Sequence, residues 1–133
     1  MMFGINWEKV SEGDCRAAAF VALAKALPRN YLVRTELKLP RGLGGSKRGA
    51  RLDMAILERA TGRIVLVLET KRSAQSKAEA QGRRYSEMTK APVMYLRGME
   101  ECQACAPRVV NALPRIAAGH DWAKLDLRSP APG

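Results

Sequence analysis

From Arg63 to Lys71 the chain reads Arg-Ile-Val-Leu-Val-Leu-Glu-Thr-Lys. Five consecutive apolar residues leave a strand no polar face. Such a strand must be covered on both sides, so it belongs in the middle of a sheet with helices above and below. That requirement excludes an open one-faced sheet, and the flanking segments have to supply the helices.

They do. Ser11 can cap a helix whose first turn holds Glu12 and Asp14. An alanine-rich run continues it to Leu27, and Pro28 stops it. Tyr31–Leu39 alternates and is rich in β-formers, so it reads as a strand. Arg51–Glu58 is a second strand, and Arg59 to Gly62 is a turn. Arg63–Lys71 is the third strand. Ser73 can cap a helix reaching about Met88. Pro92 precedes a fourth strand, Val93–Leu96. Met99 to about Ala118 is helical, with interruptions expected at Pro107 and Pro114. The order α-β-β-β-α-β-α predicts an α/β fold with a mixed sheet flanked by helices. At 133 residues one domain, 1–133, is expected, with residues 129–133 as a frayed tail.

Lysine and arginine total 23 against 13 acids, a net charge of +10. A surplus of that size favours phosphate backbones or acidic membrane surfaces. It is concentrated: Lys38, Arg41, Lys47, Arg48 and Arg51 lie in one stretch with four glycines and no acid. The plain reading is a solvated loop, and the functional reading is a phosphate-tracking one. Gly42 to Lys47 lacks the Gly-Lys-Ser/Thr order of a nucleotide-binding loop. No apolar run approaches the ~20 residues of a membrane span. Met1 to Val10 lacks a charged-then-apolar leader pattern, so a cytoplasmic location with no membrane partner is expected. Three cysteines argue against a disulfide framework. Cys102 and Cys105 have zinc-like spacing without a second pair, so small buried thiols are expected.

Two acids interrupt apolar strands. Asp53 lies within Arg-Leu-Asp-Met-Ala-Ile-Leu, and Glu69 ends the central strand two residues before Lys71. Period-two geometry puts Glu69 and Lys71 on one face and Thr70 on the other. With Ala60 to Gly62 as a three-residue loop, Arg59 opposes Arg63 and Asp53 opposes Glu69. Carboxylates so opposed repel unless a cation joins them. Asp53, Glu69 and the Thr70 carbonyl form an oxygen set suited to Mg²⁺ or Mn²⁺. Lys71 would stand beside the reacting water. A structural ion-pair network at a sheet end is the alternative. On the following helix Ala74, Ala78, Gln81, Tyr85 and Met88 form the sheet-facing stripe. Gln81 and Tyr85 need polar partners there.

Asp53, Glu69-Thr70-Lys71 and Gln81-Gly-Arg-Arg-Tyr85 together resemble the PD-(D/E)xK nuclease superfamily, which has the restriction-endonuclease-like αβββαβ core. The stretch Arg51 to Arg97 is similar to RecB-like and type I restriction-subunit nuclease domains and to small phage-type replication-repair nucleases. The resemblance implies a metal-dependent DNA nuclease. Catalytic Asp53, Glu69, Lys71, Gln81 and Tyr85 would then be joined by metal ligands Asp53, Glu69, the Thr70 carbonyl and Glu12. Glu12 is the position where family members carry a helix acid, with Glu8 the second choice. Leu52 stands where the motif's proline would be. Arg41, Lys47, Arg48, Arg51 and Arg72 would contact DNA. A homodimer, or a helicase or other repair or replication partner, is compatible with one site per chain. The alternative is a non-catalytic nucleic-acid-binding subunit on the same fold.

Overall fold

The structure, a computed structural model, describes residues 11–43, 47–71 and 76–119, without the side chains of Glu12, Lys71 and residues 76–80. Helix α1 spans Glu12–Ala26. Ser11 caps it as the sequence predicts: its hydroxyl accepts the Asp14 amide, and Asp14 accepts the Ser11 amide. This reciprocal pair satisfies two donors that a helix start leaves open. Strands β1 (Tyr31–Leu39), β2 (Ala50–Glu58) and β3 (Ile64–Lys71) follow, then α2 (Ser76–Thr89), β4 (Val93–Arg97), α3 (Gly98–Gln103) and α4 (Cys105–Ala117). The proposed cap Ser73 lies outside the described residues.

The result is an α/β architecture. Its four strands lie in the order β1-β2-β3-β4, with β1–β2 and β2–β3 antiparallel and β3–β4 parallel. Helix α2 makes the crossover between the parallel pair. The central apolar strand is covered on both faces, as its composition demands. Leu66 and Leu68 pack with Leu23 of α1 and with Cys102, Cys105 and Leu113 of α3 and α4. On the opposite face, Val67 packs with Tyr85 and Met88 of α2.

Three features depart from the sequence reading. The Arg59–Arg63 pairing does not form. Instead the Glu58 amide bonds the Arg63 carbonyl at 2.9 Å, and Leu57 pairs with Ile64. The turn is therefore one residue longer, with Gly62 at φ +73°. A bulge then absorbs the difference. Ile56 pairs with Leu66, so Val65 is the extra residue, and Met54 pairs with Leu68. The ladder ends there; continued by one step, the same register would oppose Asp53 to Glu69. The second departure lies near the C-terminus. The helix break falls at Ala104, with φ −101° and ψ 14°, not at either proline. Pro107 occupies the first turn of α4, where an amide has no helical partner to lose, and Pro114 is accommodated within the helix. Third, β2 begins at Ala50, one residue before the predicted start, while Lys38, Leu39 and Arg51 lie in the strands that the sequence predicts for them. The basic connection is thus shorter than the charge pattern suggests, and Lys38 and Arg51 are direct cross-strand partners.

The β1–β2 hairpin also changes sides along its length. Val33, Met54 and Ile56 face the α1 side. Leu37, Leu39, Ala50 and Leu52 have the same parity, yet they pack on the α2 side. The reversal falls at Glu36 and Asp53. Glu36 has φ +52°, a left-handed conformation uncommon for a residue with a Cβ. The pairs Thr35↔Met54 and Leu37↔Leu52 flank it on either side.

Helix α2 approaches the sheet closely at Gly82, where a Cβ would land on the Tyr95 hydroxyl and ring. Gly82→Ala is expected to lower unfolding stability by about 1–3 kcal/mol, through forced separation of α2 from β4. Urea unfolding of the purified variant checks this, and a wild-type midpoint would contradict the contact.

Candidate active site

The site forms at the carboxyl end of β3, where an open α/β sheet usually receives ligands. Its geometry starts from strand parity. The Val67 amide points to β4, bonding the Pro92 carbonyl at 2.9 Å. Amides at even positions of β3 therefore point to β2. The Thr70 amide, which an unbroken ladder would send to the β2 backbone, donates instead to Asp53 Oδ2 at 3.1 Å. The Thr70 hydroxyl donates to the same oxygen at 3.4 Å. The Asp53 carboxylate thus substitutes for a ladder acceptor at the point where the hairpin reverses. Its other oxygen, Oδ1, lies 3.8 Å from Arg16 Nη1.

Glu69 is 2 % exposed, unusual for a carboxylate. Its charge and that of Asp53 both reach the Tyr85 phenol. Burial is the main cause that pushes the Tyr85 pKa above 10.0, followed by the charges of Glu69 and then Asp53. Arg84 and the hydrogen bond from Gln81 pull it down. Tyr85 is held from two sides: Gln81 Nε2 donates to its oxygen at 2.6 Å, and its hydroxyl donates to the Arg51 carbonyl at 3.2 Å. Arg84 donates to the Gly49 and Arg48 carbonyls at 2.9 and 3.3 Å. Helix α2 is thereby fastened to the start of β2, immediately before Asp53.

The sequence-predicted residues divide accordingly. Asp53, Glu69, Thr70, Gln81 and Tyr85 come together. Gln81 is exposed and reaches Tyr85 from the rim. The Lys71 backbone ends β3 beside Arg97, and its side chain is outside the described set, as is that of Glu12. Glu12 starts α1 on the face of Cys15 and Ala19. Arg72, Ala74 and Glu8 lie outside the described residues. Arg41, Lys47, Arg48 and Arg51 are all exposed. Cys102 and Cys105 are buried with Cys15, and burial raises the first two thiols to about 12 and 11. They are protonated core groups at neutral pH, away from the carboxylates.

Two participants escape sequence reasoning. Arg16 lies between Asp53 and Glu36, with its Nη2 at 3.5 Å from Glu36 Oε1. Glu36 and Asp53 face each other between the pairs Thr35↔Met54 and Leu37↔Leu52, and Arg16 bridges them. Arg16 falls one helical turn after Glu12, a spacing that hints at a shared face. The left-handed turn at Glu36 has no signature in a strand that alternates normally.

Among the described residues no three His, Cys, Asp or Glu side chains converge into a ready-made metal cage. A hard cation that keeps several waters needs only one or two carboxylates. Adjacent Asp53 and Glu69, one half-exposed and one buried beside it, are a donor set compatible with Mg²⁺ or Mn²⁺. No protein-family model, curated protein or solved structure matches the chain. No described helix is long and apolar enough to cross a membrane.

The raised Tyr85 pKa carries a pH signature. The folded value lies above the unfolded value near 10, so the unfolded chain loses its phenolic proton first as pH rises. Stability from this group is complete below pH 10 and falls above it. Tyr85→Phe should flatten the stability loss above pH 10 relative to wild type, measured by urea unfolding at pH 8 to 11. Identical slopes in the two proteins would mean the phenol does not sense the acids.

Proposed function

We propose that the protein is a metal-dependent DNA nuclease of the PD-(D/E)xK type on a restriction-endonuclease-like fold. The observation that carries this reading is the pair of hydrogen bonds from the Thr70 amide and hydroxyl that hold the Asp53 carboxylate at the end of β3, where the neighbouring residue is the buried Glu69. An ion-pair network alone would not favour two adjacent carboxylates, one of them buried. Asp53 and Glu69, with the Thr70 carbonyl, would hold Mg²⁺ or Mn²⁺, and Glu12 would be the further ligand that the resemblance implies. The cation, when bound, supplies charge stabilisation at the phosphoryl oxygen and raises the acidity of water.

The chain's own residues do the rest. The Thr70 amide and hydroxyl fix one oxygen of Asp53 and leave the other for the cation. Lys71 orients the attacking water or offsets charge developing on the phosphate. Gln81 donates to Tyr85, whose hydroxyl holds the Arg51 carbonyl and so fixes where β2 enters the site. The cross-strand pair Lys38 and Arg51, with Arg41, Lys47 and Arg48 on the adjoining connection, offers like charges that a phosphate backbone neutralises. Arg72, next in sequence after the lysine, would add a further cation to such a contact. A cytoplasmic location, and a homodimer or a helicase-like partner, fit a chain that brings one site to a duplex.

A labelled panel of linear duplex, nicked circle, single strand, flap and four-way junction tests the proposal in Mg²⁺, Mn²⁺ and EDTA. Metal-dependent cutting is expected, with Asp53→Asn and Lys71→Ala each at least about 100-fold slower, the usual scale for lost acid–base or charge stabilisation. Wild-type protein that binds DNA in a steeply salt-dependent way and cuts nothing in either metal would instead establish the non-catalytic binding subunit.

A further inference from the structure

Arg16 is the cation already present between Glu36 and Asp53. It is contributed by α1 and touches acids on two different strands: Asp53 Oδ1 at 3.8 Å and Glu36 Oε1 at 3.5 Å. The Asp53 oxygen it faces is the one that Thr70 does not hold. The side chain is 28 % exposed, with Glu36 more exposed, at 56 %, than Asp53, at 26 %. The guanidinium can therefore shift toward solvent while keeping Glu36. Glu36 is displaced from the regular ladder by its positive φ.

Resting on the nuclease reading above, we infer that Arg16 is a built-in counter-cation that competes with the divalent metal for Asp53, and that Glu36 is the parking carboxylate onto which it withdraws. In the metal-free protein Arg16 relieves repulsion between Glu36 and Asp53. When a divalent ion takes Asp53, two cations cannot share one carboxylate oxygen at low cost, so Arg16 moves wholly to Glu36. Arg16 and Glu36 are thus positioning residues. They set the metal concentration at which the site fills, and they need not touch substrate. The competition is electrostatic and partly exposed, so it weakens as salt rises.

Mn²⁺ binding, followed by the electron paramagnetic resonance signal of the free ion without DNA, tests this. Asp53→Asn reads the underlying site and should abolish binding. Arg16→Gln should tighten Mn²⁺ by about fivefold at low salt, the upper range for a half-exposed pair, and by less in high salt. Glu36→Gln should weaken binding, because Arg16 then rests on Asp53 alone. In an Arg16→Gln background Glu36→Gln should have little further effect, since Glu36 acts through Arg16. Thermal melts of each metal-free variant establish that it is folded. If wild type binds Mn²⁺ through Asp53 but Arg16→Gln binds equally or more weakly, the competition is wrong and the metal site stands. If wild type binds no Mn²⁺ that Asp53→Asn removes, the metal site itself fails.

Discussion

One hydrogen bond organises the end of the sheet where the candidate site lies, from the Thr70 amide to Asp53 Oδ2. A β-ladder ordinarily joins backbone to backbone. Here a carboxylate takes the acceptor's place, satisfying the amide while ending β2–β3 pairing. A side chain without an acceptor at position 53 would leave that amide to find another partner, at a cost of about 1–3 kcal/mol if it stayed buried. The same carboxylate marks where the β1–β2 hairpin passes from the α1 side to the α2 side. Fold and site therefore share an atom, and position 53 cannot be optimised for one independently of the other.

The remaining contacts secure that arrangement. Burial of Leu66, Leu68 and Val67 between two helical layers fixes the central strand. Tyr85 then holds β2 by the Arg51 carbonyl, and Arg84 holds the carbonyls of Gly49 and Arg48 just before it, using side chains from α2. Hydrogen bonds to backbone oxygens constrain the path of the chain itself, whatever side chains sit on it. The approach of α2 to β4 at Gly82 lets the helix lie close enough for Tyr85 to reach.

Much of this was legible in the sequence because it follows from composition and period. An uninterrupted apolar run must be central, Ser11 followed by Asp14 must start a helix, and alternating β-formers at Tyr31–Leu39 must make a strand. The register that the sequence predicts for Met54 and Leu68 was legible too, although by a route with two offsetting shifts: the turn gains a residue and Val65 bulges out. Local sequence does not encode such compensation, since packing of Leu66 and Leu68 selects the final register. The face reversal at Glu36 was hidden for a similar reason. Strand alternation assumes one φ/ψ region throughout, and the left-handed Glu36 departs from it where both strands of the hairpin change sides. Arg16 was hidden because its partners come from two strands distant in sequence.

The left-handed residue has a consequence beyond the site. Strand β1 is nine residues long and lies at the edge of the sheet. A long, regular edge is a template on which another chain can add a strand. At Glu36 the outward row of amides and carbonyls changes direction midway, so an incoming straight strand meets two short misaligned segments. Arg34 and Lys38 place positive charge on either side of that change, and a second copy of this basic chain would bring the same charges. The kink that turns the hairpin toward α2 thus also guards the sheet against its own propagation.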